Sequence, residues 1–431
     1  MTHAFDIVVV GAGMVGAALA TGLGRQGFRV GVIDRSEAPV FDPTAAPDIR
    51  VSALSAGSQR YLDSLDAWDQ ITSMRSTPYR RLAVWDETHH PLSNLMPRQL
   101  TRVEFDAASL GGSHLGHIVE NSVTQRALWQ TAQAEENVTV LTGLGVVALE
   151  QGDTTATLFL DDDQRLQAQL VVGADGAQSK IRELAGIGIN HNQYEQQAMV
   201  MSVRYQGPVD DITWQGFCPS GPRAFLPLHS AGADHPGESW ASLVWYDSPG
   251  ELARLKALPE EQLLQDVQAA FPPELPQLTH LEARASFPIA RQHAKRYFSG
   301  RVVLAGDAAH TINPLAGQGV NLGFQDTQCL QGLLKEARRA NADLADPVWL
   351  QQYEAQRRPA NRRMMMTMDL FYHLFSNRVP PLHLLRNLGL GAARALPFAR
   401  NQVARYAMGI DDRLPAGLSQ LIDRIPGLRQ L

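Results

Sequence analysis

Gly11, Gly13 and Gly16 fall in a G-x-G-x-x-G spacing directly after the apolar run 7–10. That spacing suits a strand-to-helix turn around a pyrophosphate. The first glycine permits the tight turn, the second removes a Cβ from the path of the phosphates, and the third lets the helix pack closely on the sheet. The helix start offers unpaired N–H groups and a positive dipole end to the anion. Asp34 follows at the distance expected of the acid that binds ribose hydroxyls. An acid there, rather than a basic residue, disfavours a 2′-phosphate. The turn alone does not say which dinucleotide is bound.

Two later segments narrow the choice. Gly173, Asp175 and Gly176 close a predicted strand and precede Ser179, Lys180 and Arg182. Further on come Gly306, Asp307 and His310, then Pro314, Gly317, Gln318, Gly319, Asn321 and Gly323. Asp307, at a strand end, can accept hydrogen bonds from a polyol chain. The loop 314–319 can lay bare backbone against a flat ring, and the helix it opens favours negative charge developing on a reduced flavin. A nicotinamide dinucleotide needs no second glycine-rich loop so far along the chain, so the three segments together point to FAD.

No Ser/His/Asp set, paired-carboxylate motif or Cys/His cluster of metal-ligand spacing stands out, and no metal is expected. That fits a reaction in which the cofactor carries the hard step, with no protein residue assigned as catalytic. His310 is the nearest candidate base by sequence; the alternative is a helix-start histidine that satisfies backbone groups.

These residues need elements to hold them. At 431 residues the chain is long enough for a large core plus a second lobe. A net charge of −6 argues against a nucleic-acid face. Two distant cysteines, Cys218 and Cys329, exclude a disulfide framework and make the reducing cytosol the expected compartment. The first residues lack the basic region of a signal peptide, and no apolar run reaches transmembrane length, so any membrane contact is expected to be peripheral, on the inner face.

Apolar periodicity predicts a strand at 5–10, a helix at 17–26 with Gly27 at its C-cap, and a strand at 29–33 that ends on Asp34. Further helices are predicted at 52–65 and 120–135, and strands at 138–142, 146–150 and 166–172. From about 187 to 287, short alternating runs separated by Pro/Gly-rich turns predict an antiparallel sheet, interrupted by one helix near 259–271. A buried strand returns at 301–304, and the chain reads as helical from 349 onward. The fold class is therefore α/β: a Rossmann-like FAD-binding domain, an inserted antiparallel-sheet substrate domain and a helical C-terminal region. The expected boundaries are 1–75, 105–186 and 288–368 for the first, 76–104 and 187–287 for the second, and 369–431 for the third.

The succession GxGxxG, DG and GDAAHxxxPxxGQGxNxG resembles the class A flavoprotein aromatic hydroxylases, built like para-hydroxybenzoate hydroxylase, over about residues 5–409. Within that class, 50–55 and 115–121 are similar to the ubiquinone-biosynthesis branch. The stretches 78–82, 221–228, 242–249 and 368–372 look like a member acting on a polyprenylated methoxy-benzoquinol. The resemblance implies that Gly11, Gly13 and Gly16 meet the pyrophosphate and Asp34 the adenosine ribose. It places Arg50 and Gln125 near the pyrophosphate and ribityl chain, Asp307 on the ribityl chain, and Gly317, Gln318 and Gly319 by the isoalloxazine, with Pro314 and Asn321 in the same loop and helix. It implies a monooxygenase that takes electrons from NAD(P)H and adds O2 to form a flavin C4a-hydroperoxide. NAD(P)H would visit transiently, partly near Asp175 and Arg182; another electron donor stays open. So do a sibling hydroxylase acting at another ring position, a flavin reductase, and a structural flavoprotein subunit of a ubiquinone-biosynthesis complex.

The prenyl tail calls for a long apolar cleft or a membrane. Phe225, Leu226, Leu228, Trp245 and Tyr246 either line such a cleft or form sheet core. Leu370, Phe371, Leu374 and Phe375 make an apolar stripe, extended beyond Pro380 by Leu382, Leu385 and Leu388 with Arg386 and Arg394 nearby. That basic amphipathic character suits a membrane surface, a packing face or a partner. Met364, Met365, Met366 and Met368 read as adaptable core.

Overall fold

The computed structural model describes residues 2–86, 102–313 and 317–375. Ile7, Val8 and Val9 are wholly buried in strand Thr2–Val10, as a central parallel strand covered on both faces requires. It pairs in parallel with Val30–Asp34 on one side and Arg165–Gly173 on the other; Val138–Thr142 and Val302–Leu304 extend the sheet outward. Ala156–Leu160 pairs antiparallel with Arg165–Gly173, and Val146–Gln151 pairs antiparallel with Ala156–Leu160. Helix Met14–Arg25 follows the first strand, and Gly27, at φ +83°, turns the chain into the next.

The second sheet runs Leu278–Ala294, Ile189–Gln206, Glu238–Asp247, Gly221–Ser230 and Ile212–Cys218 in spatial order. Arg81–Asp86 joins its far edge in parallel and Arg102–Asp106 lies beyond; His310–Thr311 joins the near edge. Strand Leu278–Ala294 therefore runs past the expected boundary at 287 and carries the second sheet to the loop that holds Asp307. Two helices, Pro249–Ala257 and Glu260–Ala269, cover one face of this sheet.

The helix expected at 52–65 begins as strand. Val51–Ser55 pairs with Gly116–Glu120, which also pairs with Thr77–Tyr79, and the helix begins only at Ala56. Ser55 is its N-cap, its hydroxyl accepting from the Ser58 N–H at 3.2 Å. Ser52 donates across the strand pair to Asn121 at 2.7 Å. The alternation of small residues here serves a cross-strand partner distant in sequence, which local periodicity does not reveal. Helix Pro249–Ala257 was also not expected, although its signal was present: Ser248 caps it by accepting from Glu251, with Pro249 in the first turn. The C-terminal helix Pro347–Phe375 forms as expected; the apolar and basic positions beyond 375 lie outside the described residues.

Candidate active site

The C-terminal ends of the central parallel strands face the antiparallel sheet across a cavity of about 1780 Å³. Its polar end is built on the glycine turn. Gly11 has φ +99°, and a Cβ there would lie 2.4 Å from the Ala174 carbonyl oxygen. A Cβ at Gly16 would lie 1.9 Å from the Gly11 carbonyl, so this glycine serves close packing and is off the cavity wall. Gly13 differs: a Cβ there would meet nothing within 4 Å, because the position opens into the cavity. Gly13 is also the N-cap of Met14–Arg25 and supplies no side-chain cap, which leaves first-turn N–H groups available to an anion.

Asp34 lines the same end. Its carboxylate accepts from the Ala12 N–H at 2.6 Å and the Ser36 N–H at 2.8 Å, which fixes its oxygens while leaving lone pairs for a ligand. Gln125 lines the wall and donates to the Ala12 carbonyl at 3.1 Å. Arg50 is exposed onto the cavity, and its carbonyl accepts from the Asn121 N–H.

Asp175 also faces the cavity but is engaged with its own loop. It accepts from the Ser179 hydroxyl and, at 3.0 Å, from the Ile181 N–H in the first turn of helix Lys180–Leu184, whose N-cap is Ser179. Arg182 points elsewhere: its guanidinium donates to the Ala177 and Ala308 carbonyls, each at 2.9 Å, tying the second segment to the third. Asp307 is exposed onto the cavity, and desolvation by the surrounding walls raises its carboxyl from its ordinary value against the pull of His310 and Arg50.

Gly317, at φ +63°, caps helix Gln318–Arg339, and a Cβ there would press to 3.1 Å from the Ala53 nitrogen. Gly317, Gln318 and Gly319 all line the cavity, and a Cβ on Gly319 would meet open space. Pro314 lies outside the described residues. Asn321 does not reach the wall. Its amide accepts from the Ser55 N–H at 3.0 Å and the Ser58 hydroxyl at 2.6 Å, and donates to the Ala53 carbonyl at 2.9 Å, so it braces the helix against that strand end.

His310 is neither a cavity base nor a backbone cap. Its Nε2 lies 2.5 Å from Asp326, and both side chains are wholly buried. Asp326 also accepts from Arg357 at 2.7 Å, Asn361 at 2.9 Å and the Gly306 N–H at 3.2 Å. The network fastens the start of the Asp307 loop to two helices. Sequence reasoning missed it because its members are spread over more than fifty residues.

The apolar end is the antiparallel sheet, and strand alternation sorts the expected pocket residues. Leu226 and Tyr246 face the cavity. Phe225 and Trp245 point to the opposite face, into the core beneath the two covering helices. Trp245 is capped there by Arg223, whose guanidinium lies 3.9 Å from its ring. Leu228 has the cavity-side phase but packs beyond it, against Tyr79 and Ile118 of the three-stranded sheet. The wall uses residues not anticipated: Val200, Gln215, Ala224, Ser242, Val244 and Ile289. Met364, Met365 and Met368 pack as core with Phe217 and Ile312.

The family model FAD_binding_3, described as "FAD binding domain", matches residues 4–368. The chain belongs to this family. The FAD-binding protein is 44% identical over 406 residues to 3-demethoxyubiquinol 3-hydroxylase of Escherichia coli strain K12, covering 94% of this chain and 98% of that one. It is 33% identical over 453 residues to the mitochondrial ubiquinone biosynthesis monooxygenase COQ6 of Xenopus tropicalis, covering 94% and 93%. Its fold matches p-nitrophenol 4-monooxygenase PnpA from Pseudomonas putida DLL-E4 with TM-score 0.73 at 19% identity, over 95% of this chain and 98% of that one.

Proposed function

We propose that this FAD-binding protein is a monooxygenase that hydroxylates the ring of a polyprenylated methoxy-benzoquinol in ubiquinone biosynthesis. The observation that carries the reading is the continuity of one cavity. It begins among dinucleotide-binding groups at Gly13 and Asp34 and ends on an aliphatic sheet face at Leu226 and Val244. The residues present fit FAD: Gly13 and Gly319 leave open space where backbone must approach a ligand, and a helix start faces the same volume. Gly11 and Gly13 would meet the pyrophosphate, with Arg50 supplying positive charge. Asp34 would hold the adenosine ribose, Asp307 the ribityl chain, and Gly317, Gln318 and Gly319 the ring.

Bound FAD supplies electron uptake from NAD(P)H and activation of O2. The chain's own part is to orient the quinol and exclude water. Among the described residues on the sheet side of the cavity there is no Asp, Glu, His or Lys. An electron-rich quinol ring is already activated toward electrophilic oxygen, so such a wall suits it. The glycine turn is taken by FAD, so NAD(P)H visits transiently, with Asp175 rather than the tied Arg182 facing the cavity.

Among the described residues no helix is long and apolar enough to cross a membrane. A prenylated substrate partitions into lipid, which supports peripheral contact or handover from a partner of the same pathway. The test is turnover of the purified holoenzyme with NAD(P)H and oxygen-18 gas. Label in the hydroxylated quinol is expected, as is accumulation of the unhydroxylated precursor in a deletion strain. Flavin that reduces and reoxidises without labelled product would overturn the reading.

A further inference from the structure

One edge of the antiparallel sheet reaches the polar end of the cavity. Strand Leu278–Ala294 pairs there with His310–Thr311, and Asp307 and Thr311 line the wall beside it. From that edge a single row of side chains crosses the sheet strand by strand: Val200, Val244, Ala224, Gln215, Val84 and Val103. Every member of the row lines the same cavity, and none is charged. Neighbouring strands lie ~4.8 Å apart, so the row is roughly 24 Å long. Leu226, Leu82 and Phe105 line the cavity beside its outer half and pack together.

The outer strand pair, Arg81–Asp86 with Arg102–Asp106, is sorted by alternation. Arg81, Arg102 and Glu104 stand on the face away from the cavity, where Glu104 pairs with Arg102 at 2.9 Å and with Arg81 at 3.7 Å. The Arg102 guanidinium lies there 4.3 Å from the Trp214 ring. Leu82, Val84, Val103 and Phe105 are left to the cavity. Leu82, Val84 and Phe105 are only half-buried. Apolar side chains left half-covered forgo burial energy, and a contiguous set of them that opens on a ligand cavity marks a binding groove.

We infer that this outer half of the row, from Ala224 to Val103, is the subsite for the isoprenoid tail of the substrate, and that the tail runs away from Asp307 toward the Arg81–Asp86 and Arg102–Asp106 pair. This rests on the substrate class proposed above and adds where its tail lies. The ring must stand by the flavin, at the Asp307 edge, so the tail has the rest of the row. An extended isoprene unit is four carbon–carbon bonds, about 5 Å, close to one strand spacing. The strands from Gly221–Ser230 outward therefore cover about four units, and a longer tail leaves over the outermost strand.

The test uses the holoenzyme and 3-methyl-6-methoxy-1,4-benzoquinol carrying no tail, one isoprene unit or four units at position 2. Uptake is read as perturbation of the flavin absorbance. Wild-type uptake is expected to tighten by about tenfold or more with each lengthening, as apolar carbon is buried. Val84→Trp fills the groove, and Val84→Asn makes it polar with little change of bulk, so the second serves if the first fails to fold. Both are expected to retain FAD, and in both the ratio of four-unit to tail-less uptake should fall by about tenfold or more. A wild type that gains nothing from the tail would overturn the inference, as would a wild-type ratio in the variants or equal weakening of all the probes. If the wild type still forms oxygen-18-labelled product from these quinols, only the tail subsite falls. No label from any of them would overturn the substrate reading and this inference with it.

Discussion

The carboxylate of Asp326 holds the imidazole of His310 at 2.5 Å in a fully buried pair, and the same carboxylate is shared by Arg357 and Asn361. Burial pushes this carboxyl up. The charges of His310 and Arg357 and the hydrogen bonds from His310 and Asn361 outweigh it and leave it well below the usual carboxylate range. Neither residue lines the cavity, yet the pair anchors Gly306, the residue before Asp307.

Removing one member of a buried charged network leaves the others uncompensated. Asp326→Ala is expected to cost about 3–5 kcal/mol of stability and to weaken FAD retention through the Asp307 loop. Chemical denaturation of the apoprotein gives the first quantity and FAD titration the second. A variant as stable as the wild type would remove the anchoring role.

The glycine turn separates binding from folding. Gly13→Val points into open cavity and is expected to fold with wild-type circular dichroism but purify without yellow colour. Gly16→Val drives a side chain onto the Gly11 carbonyl and is expected to misfold or aggregate. A Gly13→Val protein that kept full flavin absorbance would misplace the pyrophosphate.

Two neighbours in one strand are expected to fail differently. Trp245→Ala empties core beneath the helices and should cost about 3–5 kcal/mol, with KM per folded molecule nearly unchanged. Val244→Trp fills the cavity floor and should raise KM or abolish turnover while FAD content and folding persist. The pair of KM values and melting curves decides; a larger KM effect at Trp245 would reverse the assignment of the two faces.

Stability is expected to fall on mild acidification. Burial holds the His117 and His229 rings neutral down to about 4 and His293 down to about 3, with nearby positive groups adding to the effect. Below the ordinary histidine value of 6.5, the unfolded chain binds protons that the folded chain refuses. Stability is therefore full above about pH 6.5, declines below it, and goes on declining until the folded rings are protonated. Melting temperatures at pH 7.5, 6 and 5 should drop in that order, and His117→Asn should flatten the slope. A flat profile in the wild type would rule this out.

Much of the cavity's polar end was legible in the sequence because its backbone geometry is local. Gly11 and Gly317 have positive φ, Asp34 ends a strand, and Asp175 accepts from the first turn of the helix a few residues on. Each of these is decided within one turn or one strand end. Asn321 shows the limit: its motif places it beside the cofactor loop, but its amide is spent on Ser55, Ser58 and Ala53, more than 260 residues away.

The sequence by itself determined that the chain has a βαβ start, a glycine turn shaped for a dinucleotide and a separate lobe of alternating strands. Periodicity and backbone sterics act between neighbours, so they can be read without knowing the fold. Only the tertiary structure decided which side of the alternating strands faces the cavity. A period of two assigns residues to two faces but does not label the faces. Helices Pro249–Ala257 and Glu260–Ala269 cover one of them, which buries Phe225 and Trp245 as core and leaves Leu226, Ser242, Val244 and Tyr246 to face the cavity.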